Sequence, residues 1–199
     1  MENIVKIIVL LTGFLNASDT LRIDLPASQI EWTGRKVTGE HSGYLNLSDG
    51  WILMEGPILS GGRFKFDMTS ITNTDIDSPE WKLKLENHLK SADFFLIDSF
   101  PHCVLNIKGN LPMVESDSKK EDNILKGDLS IRGITHEILI PYQLTKTDSN
   151  FTASGLVNID RTLYNVRYKS GKFFDELGDK MIYDEFSIHF QLQTKPGDQ

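Results

Sequence analysis

Short stretches in which hydrophobic and polar residues alternate dominate this chain. The segment from Phe64 to Thr69 has an apolar residue at every second position, and segments 138–144 and 186–192 repeat the pattern. Successive side chains of a strand point to opposite faces, so the pattern predicts strands with one apolar and one solvated face. Similar stretches, bounded by Gly, Asn, Asp and Pro, occur at 30–38, 43–47, 51–55, 104–107, 124–131 and 151–159. We expect about eight or nine antiparallel strands.

One segment departs from this alternation. Trp81, Leu85 and Leu89 recur every four residues with charged residues between them, which predicts an amphipathic helix of about three turns. Ser78 and Pro79 suit its N-cap and first helical position. The following residues, HLKSADFF (88–95), change from a helical to an extended pattern. We expect this transition to border a functional site, with simple core packing as the alternative.

An all-β fold, a lipocalin-like antiparallel barrel of about eight strands with one short capping helix, accounts for these elements economically. Closing a sheet into a barrel removes its unpaired edges. A barrel of about eight strands can enclose one small ligand. No repeat, linker or change of composition divides residues 18–199, which predicts one domain. The polar stretch 113–123 is predicted to be a mobile hairpin loop.

Residues 1–17 have the features of a signal peptide. Lys6 precedes an apolar run from Ile7 to Leu11, and small residues follow at Ala17 and Ser18. The run is shorter than the ~20 apolar residues that a membrane-spanning helix requires. We therefore expect cleavage after Ala17 and a periplasmic or secreted protein.

Charge and cysteine content exclude several classes of protein. The chain has 21 basic and 28 acidic residues, a net charge of −7, which argues against nucleic acid or an anionic membrane surface as a standing partner. Stable membrane insertion is disfavoured because predicted outer faces carry charges such as Lys65 and Glu137. A single cysteine, Cys103, excludes an intrachain disulfide and is expected to be buried. The sequence is compatible with a homodimer.

The sequence contains no strong motif for a metal, a cofactor or catalysis. Gly39 to Gly43 reads GEHSG, which places His41 beside Ser42 but does not match G-x-S-x-G. Adjacent residues of a strand point to opposite faces, so these two do not form a working pair. No two histidines have the close spacing of a metal-binding pair; they are His41, His88, His102, His136 and His189.

Five segments in order resemble the YceI-like family, a lipocalin-like group associated with binding of polyisoprenoids and other long-chain lipids. This resemblance covers nearly all of the chain after the leader. It implies an antiparallel barrel around an elongated apolar pore, usually in exported bacterial proteins, which holds one isoprenoid or fatty chain without known catalysis. The segments are WTGRKVTGEHSG (32–43), GGRFKFDMTSI (61–71), LENHLKSADFF (85–95) with Phe100–Pro101 following, GDLSIRGITHEI (127–138) and DRTLYNVRYKSGKFFDELGDKMIYDEF (160–186).

The resemblance yields pore-lining candidates and candidates for contact with a polar head group. His41, His88 and Arg161 are the head-group candidates, and the alternative for Arg161 is a structural ion pair with Asp160, Asp179 or Asp184. The pore-lining candidates are Trp32, Phe64, Phe66, Trp81, Leu85, Leu89, Phe94, Phe95, Phe173 and Phe174.

The predicted function is non-catalytic binding and transport of a long-chain amphiphile, namely a polyisoprenoid, an isoprenoid quinone or a fatty acid derivative. No cofactor is expected. The alternative is an enzyme that acts on a small amphiphile with His41 or His88 as general base.

Overall fold

The computed structural model describes residues 18–111, 123–147 and 150–196, which form an antiparallel sheet and one α-helix. The elements in chain order are β1 (Ser18–Arg22), β2 (Gln29–Lys36), β3 (Gly39–Glu55), β4 (Ile58–Asn73), α1 (Pro79–Lys90), β5 (His102–Asn110), β6 (Asn123–Ile131), β7 (Ile134–Lys146), β8 (Phe151–Asp160), two short 3₁₀ helices (Arg161–Tyr164 and Gly178–Lys180) and β9 (Ile182–Gln193).

Eight strands close into a barrel. The pairing runs β3-β2-β9-β8-β7-β6-β5-β4, and β3 also pairs with β4, which joins the two ends of the sheet. The short strand β1 pairs with the second half of β3, and an isolated bridge between Ile23 and Thr194 links the residue after β1 to the residue after β9. The predicted all-β antiparallel barrel with one short helix is confirmed.

The sequence prediction divided one long strand into two and did not include β1. Segments 43–47 and 51–55 belong to a single 17-residue strand, β3, and are not two strands. The ladder between β3 and β4 shifts register between Tyr44 and Asn46 and again between Leu47 and Asp49. These bulges absorb the polar stretch without ending the strand, which alternation alone could not indicate.

Helix α1 caps one end of the barrel. It begins at Pro79 as predicted, and the Ser78 side chain makes no capping hydrogen bond. Leu89 is its one buried residue, and it packs with Trp32, Ile71, Phe94 and Val166 in a hydrophobic cluster at this end. The helix thus closes the barrel through its last turn.

Two sequence predictions lie outside the described residues. Residues 1–17, the expected leader, are not described, and the described structure starts with β1 at Ser18. The expected loop 113–123 is also outside, except for Asn123, the first residue of β6.

Candidate functional site

The barrel encloses a cavity of about 210 Å³ with an almost entirely apolar wall. The wall extends from Leu89 and Phe94 at the α1 end to Tyr142 and Thr194 near the opposite end. Apolar cavities of about 150 Å³ in other proteins stay dry and take up apolar molecules. The cavity is therefore suited to an apolar chain and not to water.

Alternation along the strands creates this wall. On β9, Phe186, Ile188, Phe190 and Leu192 all lie on the cavity, while His189 between them is exposed. The same inward set continues on β8 with Ala153, Val157 and Ile159. Alternation thus directs one face of β9 to the cavity and the other to solvent.

Six of the ten predicted pore-lining residues lie on the cavity wall. Trp32 is fixed by a hydrogen bond of 3.0 Å from its indole Nε1 to the carbonyl of Thr72. The ring of Phe95 packs edge to face on Phe186 with 6.3 Å between centroids. Contact with a ligand stays a prediction for all six, which are Trp32, Phe64, Phe66, Leu89, Phe94 and Phe95.

The other four predicted residues are not on the wall. Trp81 is 57% exposed on the outer side of α1, where the Lys84 ammonium lies 4.5 Å from its ring centroid. Leu85 packs partly buried against the cluster beneath the helix without reaching the cavity. Phe173 and Phe174 are 43% and 51% exposed. These four side chains lie off the wall of this cavity, and ligand contact at them stays a prediction, because helical spacing and aromatic content alone do not distinguish an outer face from an inner one.

Most of the wall consists of aliphatic residues that the motif-based prediction did not name. They include Ile52, Leu105, Ile140 and Val157. Alternation within segments 138–144 and 186–192 was the available signal, because every apolar position of an alternating strand shares one face. Cys103 also lies on the wall, and burial raises the pKa of its thiol to about 12, so the thiol stays neutral.

Arg161, unlike the two histidines, lies on the cavity wall, and its guanidinium is hydrogen-bonded to the backbone. Its guanidinium donates to the carbonyl oxygens of Tyr183, Val166 and Ile182 at 3.0, 2.8 and 3.0 Å. Burial lowers the pKa of Arg161, and the nearby carboxylates of Asp184 and Asp160 oppose that shift. The Asp184 carboxylate is 3.7 Å away, so of the ion pairs that the sequence suggested, this one forms.

His41 is part of a polar network that joins β3 to the segment before α1. Its Nδ1 lies 2.8 Å from Oδ2 of Asp75, and the Ser42 amide donates to Oδ1 of the same carboxylate at 2.8 Å. The fully buried Asn73 completes the network through its side-chain amide, which donates to the Ser42 carbonyl. Burial opposes ionisation of Asp75, but the hydrogen bonds from Ser42, His41 and Asn73 outweigh it and lower the pKa of Asp75.

His88 is held by an acid and two aromatic rings at the end of α1. Its Nε2 lies 3.0 Å from Oδ2 of Asp93. Its ring meets Phe94 and Tyr168 edge to face, with centroid distances of 5.0 and 4.7 Å. Neither His88 nor His41 lies on the cavity wall, so the two histidines are separate from the site that the cavity forms.

Two features are absent from the described ranges. No group of three or more His, Cys, Asp or Glu residues in 18–111, 123–147 and 150–196 is arranged to hold a metal ion. Within the same ranges, no helix has the length and hydrophobicity needed to span a membrane.

Comparison with known proteins gives one family match and several structural matches. The model of the YceI-like domain matches residues 21–194. None of the curated proteins compared with the chain matches it significantly.

Three solved structures illustrate the structural matches. Burkholderia cenocepacia BcnA is 16% identical with a TM-score of 0.66, over 86% of this chain and 98% of that one. A polyisoprenoid binding domain from Saccharophagus degradans is 13% identical with a TM-score of 0.64, over 88% and 98%. The YceI protein of Campylobacter jejuni is 14% identical with a TM-score of 0.51, over 70% and 74%. At these identities the structures show a shared fold.

Proposed function

Because the chain belongs to the YceI-like family, we propose that it binds and carries one long-chain amphiphile, a polyisoprenoid, an isoprenoid quinone or a fatty acid derivative, without catalysis. The observation that carries this proposal is the apolar cavity along the barrel. Burial of an isoprenoid or fatty chain there gains roughly 25 cal/mol per Å² of apolar surface removed from water. The similar Saccharophagus degradans domain is described as polyisoprenoid binding, which supports the same ligand class here.

Organic extraction of the purified protein followed by mass spectrometry tests the proposal. We expect one class of long-chain lipid in an amount close to that of the protein. A protein that is consistently empty and also refuses added prenyl lipids would contradict it.

A matched pair of variants tests whether that ligand lies in the cavity. Ala153 lies on the wall, so Ala153→Phe fills cavity space with apolar atoms and should lower the lipid content. Ala92 is exposed in the segment after α1, so Ala92→Phe adds the same atoms elsewhere and should leave the lipid content unchanged. Equal lipid content in both variants would place the ligand outside the barrel.

The positions of the two histidines support binding over the enzyme alternative. His41 pairs with Asp75 and His88 with Asp93, and neither lies on the cavity wall. A general base must reach the proton that it removes, directly or through one water. We expect the double variant His41→Gln/His88→Gln to retain its lipid. Conversion of an added amphiphile by the unsubstituted protein, and its loss in this variant, would favour the enzyme.

Export to the periplasm or outside the cell is part of the same proposal. The leader features of residues 1–17 support it, and β1 pairs with β3 from Ser18 onward, so cleavage after Ala17 would leave this pairing intact. Fractionation of a Gram-negative host should give a periplasmic or secreted protein that begins at Ser18. An uncleaved protein that stays in the cytoplasm would contradict export.

A further inference from the structure

The most exposed of the described residues on the cavity wall lie close together in the sheet. Among the described residues on the wall, only Arg35, Tyr183 and Glu185 are exposed. All three flank the place where the pairing of β2 with β9 loses its register, between Gly34 and Lys36. The wall is thus open to solvent at the side of the barrel, between β2 and β9.

This opening has a defined structural cause. Gly34 pairs with Phe186 and Lys36 pairs with Ile182, so three residues of β9 lie opposite Arg35 alone. The displaced part of β9 is held in place because Arg161 donates to the carbonyl oxygens of Ile182 and Tyr183, both at 3.0 Å. This opening, the gap between β2 and β9 beside Gly34, is therefore fixed by the hydrogen bonds of the folded barrel.

Gly34 keeps the gap empty. A Cβ built at this position would meet a single atom within 4 Å, Cζ3 of Trp32 at 4.0 Å. By contrast, a Cβ at Gly43 would lie 1.7 Å from the carbonyl oxygen of Thr72. Backbone crowding requires glycine at 43, whereas at 34 glycine leaves open space on the cavity wall.

The charges around the opening nearly cancel. Arg35 donates to Glu40 at 3.1 Å, and Lys36 and Glu185 have no ion-pair partner among the described residues. His41, the partner of Gly34 on β3, lies 2.8 Å from the carboxylate of Asp75. A head group with several negative charges would meet carboxylates as well as cations, whereas a hydroxyl or carbonyl can accept from Arg35 and Tyr183 without a net charge.

We propose that the gap over Gly34 is the entrance of the cavity and the site of the ligand's polar head, and that it favours uncharged heads, as in prenyl alcohols and isoprenoid quinones. The inference rests on the proposed function and specifies the ligand's route of entry and the class of its head group.

Uptake of geranylgeraniol by the delipidated protein tests the entrance. Gly34→Phe puts its Cβ in open space and adds a ring at the gap, so it should lower uptake by about tenfold. Gly61→Phe is the matched control, because Gly61 lies on β4 away from the cavity wall and its Cβ would make ordinary contacts of 3.6 and 3.7 Å with Leu53. A folded Gly34→Phe variant with normal uptake would place the entrance elsewhere. Failure of the unsubstituted protein to take up any prenyl lipid would instead contradict the proposed function.

Competition between geranylgeraniol and geranylgeranyl diphosphate tests the head-group preference, and it remains decisive if Gly34→Phe fails to fold. The unsubstituted protein should bind the alcohol more tightly than the diphosphate. Glu185→Lys should shift the preference toward the diphosphate, relative to the alcohol, by roughly tenfold. Glu55→Lys changes the net charge equally from an exposed position off the cavity wall and should have little effect. A preference for the diphosphate, or equal effects of the two variants, would overturn the assignment.

Discussion

The two Phe-Phe pairs of this chain lie in segments at the same end of the barrel but have opposite environments. Phe94 is 8% exposed, and both it and Phe95 lie on the cavity wall. Phe173 and Phe174 are 43% and 51% exposed and lie off the wall. The dipeptide is identical, so the difference must come from how each segment is attached to the barrel.

The segment after α1 is tied to its neighbours by bonds that direct its rings inward. The Phe95 amide donates to the Leu89 carbonyl at 3.1 Å, and Arg132 donates to the Phe94 carbonyl at 2.8 Å. By contrast, the amides of Phe173 and Phe174 both donate to Ser170 within their own loop. Arg161 and the Ile182 amide, which donates to the Lys169 carbonyl at 2.9 Å, attach that loop to β9, and the phenylalanine pair does not. Attachment to the barrel, more than aromatic content, decides which ring lines the cavity.

The largest expected effect is the loss of Arg161. Arg161→Leu leaves three carbonyl oxygens without this donor and removes the buried one of the two cations near the Asp184 carboxylate, the other being Lys172 at 3.5 Å. We expect the free energy of unfolding to fall by roughly 3–5 kcal/mol, as when one partner of a buried pair is removed. Urea denaturation at neutral pH measures this change.

The control for this variant is Arg167→Leu in the same loop. The Arg167 guanidinium lies over the Phe173 ring at 4.4 Å and makes no described hydrogen bond, so its loss should change stability by no more than about 0.5 kcal/mol. Equal losses in the two variants would show that the loop is not attached through Arg161.

Alanine variants of Phe94 and Phe173 test whether the two pairs contribute differently to stability. Phe94→Ala removes a ring that packs on Leu89 and Val166, and it should lower the free energy of unfolding by about 3 kcal/mol. Phe173→Ala should change it by less than about 0.5 kcal/mol, because the ring is already in contact with water. Thermal and urea unfolding of both variants provide the measurement, and a larger loss for Phe173→Ala would reverse the comparison.

These contrasts explain what the sequence could and could not predict. Alternation on β9 and β7 predicted the strands, and the barrel follows because each apolar face must be covered. Periodicity also predicted α1, but it could not tell which residues of its apolar stripe face inward, since Leu89 is buried while Trp81 is 57% exposed. The bulge beside Gly34 depends on pairing between β2 and β9, which are far apart in the chain and carry no local signal of that register.

An acid-stability experiment tests how the segment before α1 is attached to β3. The pKa of Asp75 is lowered in the folded protein from its ordinary value of 3.8, because hydrogen bonds to its carboxylate outweigh burial. A lowered folded-state pKa contributes stability above the unfolded value, and that contribution is lost as the pH falls through the folded value. Asp75→Asn should therefore cost about 1 kcal/mol at neutral pH and progressively less below pH 3.8.

Chemical denaturation across this pH range measures that effect. Asp77→Asn is the control, because Asp77 lies two residues away and has no described hydrogen-bond partner. A cost of Asp75→Asn that stays constant or grows as the pH falls would contradict the role of the ionised carboxylate.

The smallest expected effect is on the amount of lipid bound when one or the other Phe-Phe pair is changed. The double variant Phe173→Ser/Phe174→Ser removes two rings that lie off the wall, so its bound lipid should be unchanged and its stability should shift by less than about 0.5 kcal/mol. Phe95→Ser removes a wall residue and exchanges apolar surface for a hydroxyl, so less lipid should be recovered. Mass spectrometry of lipid extracted from equal amounts of both proteins makes the comparison. Loss of lipid in the double variant with full retention in Phe95→Ser would mean that the exposed loop, and not the barrel interior, holds the ligand.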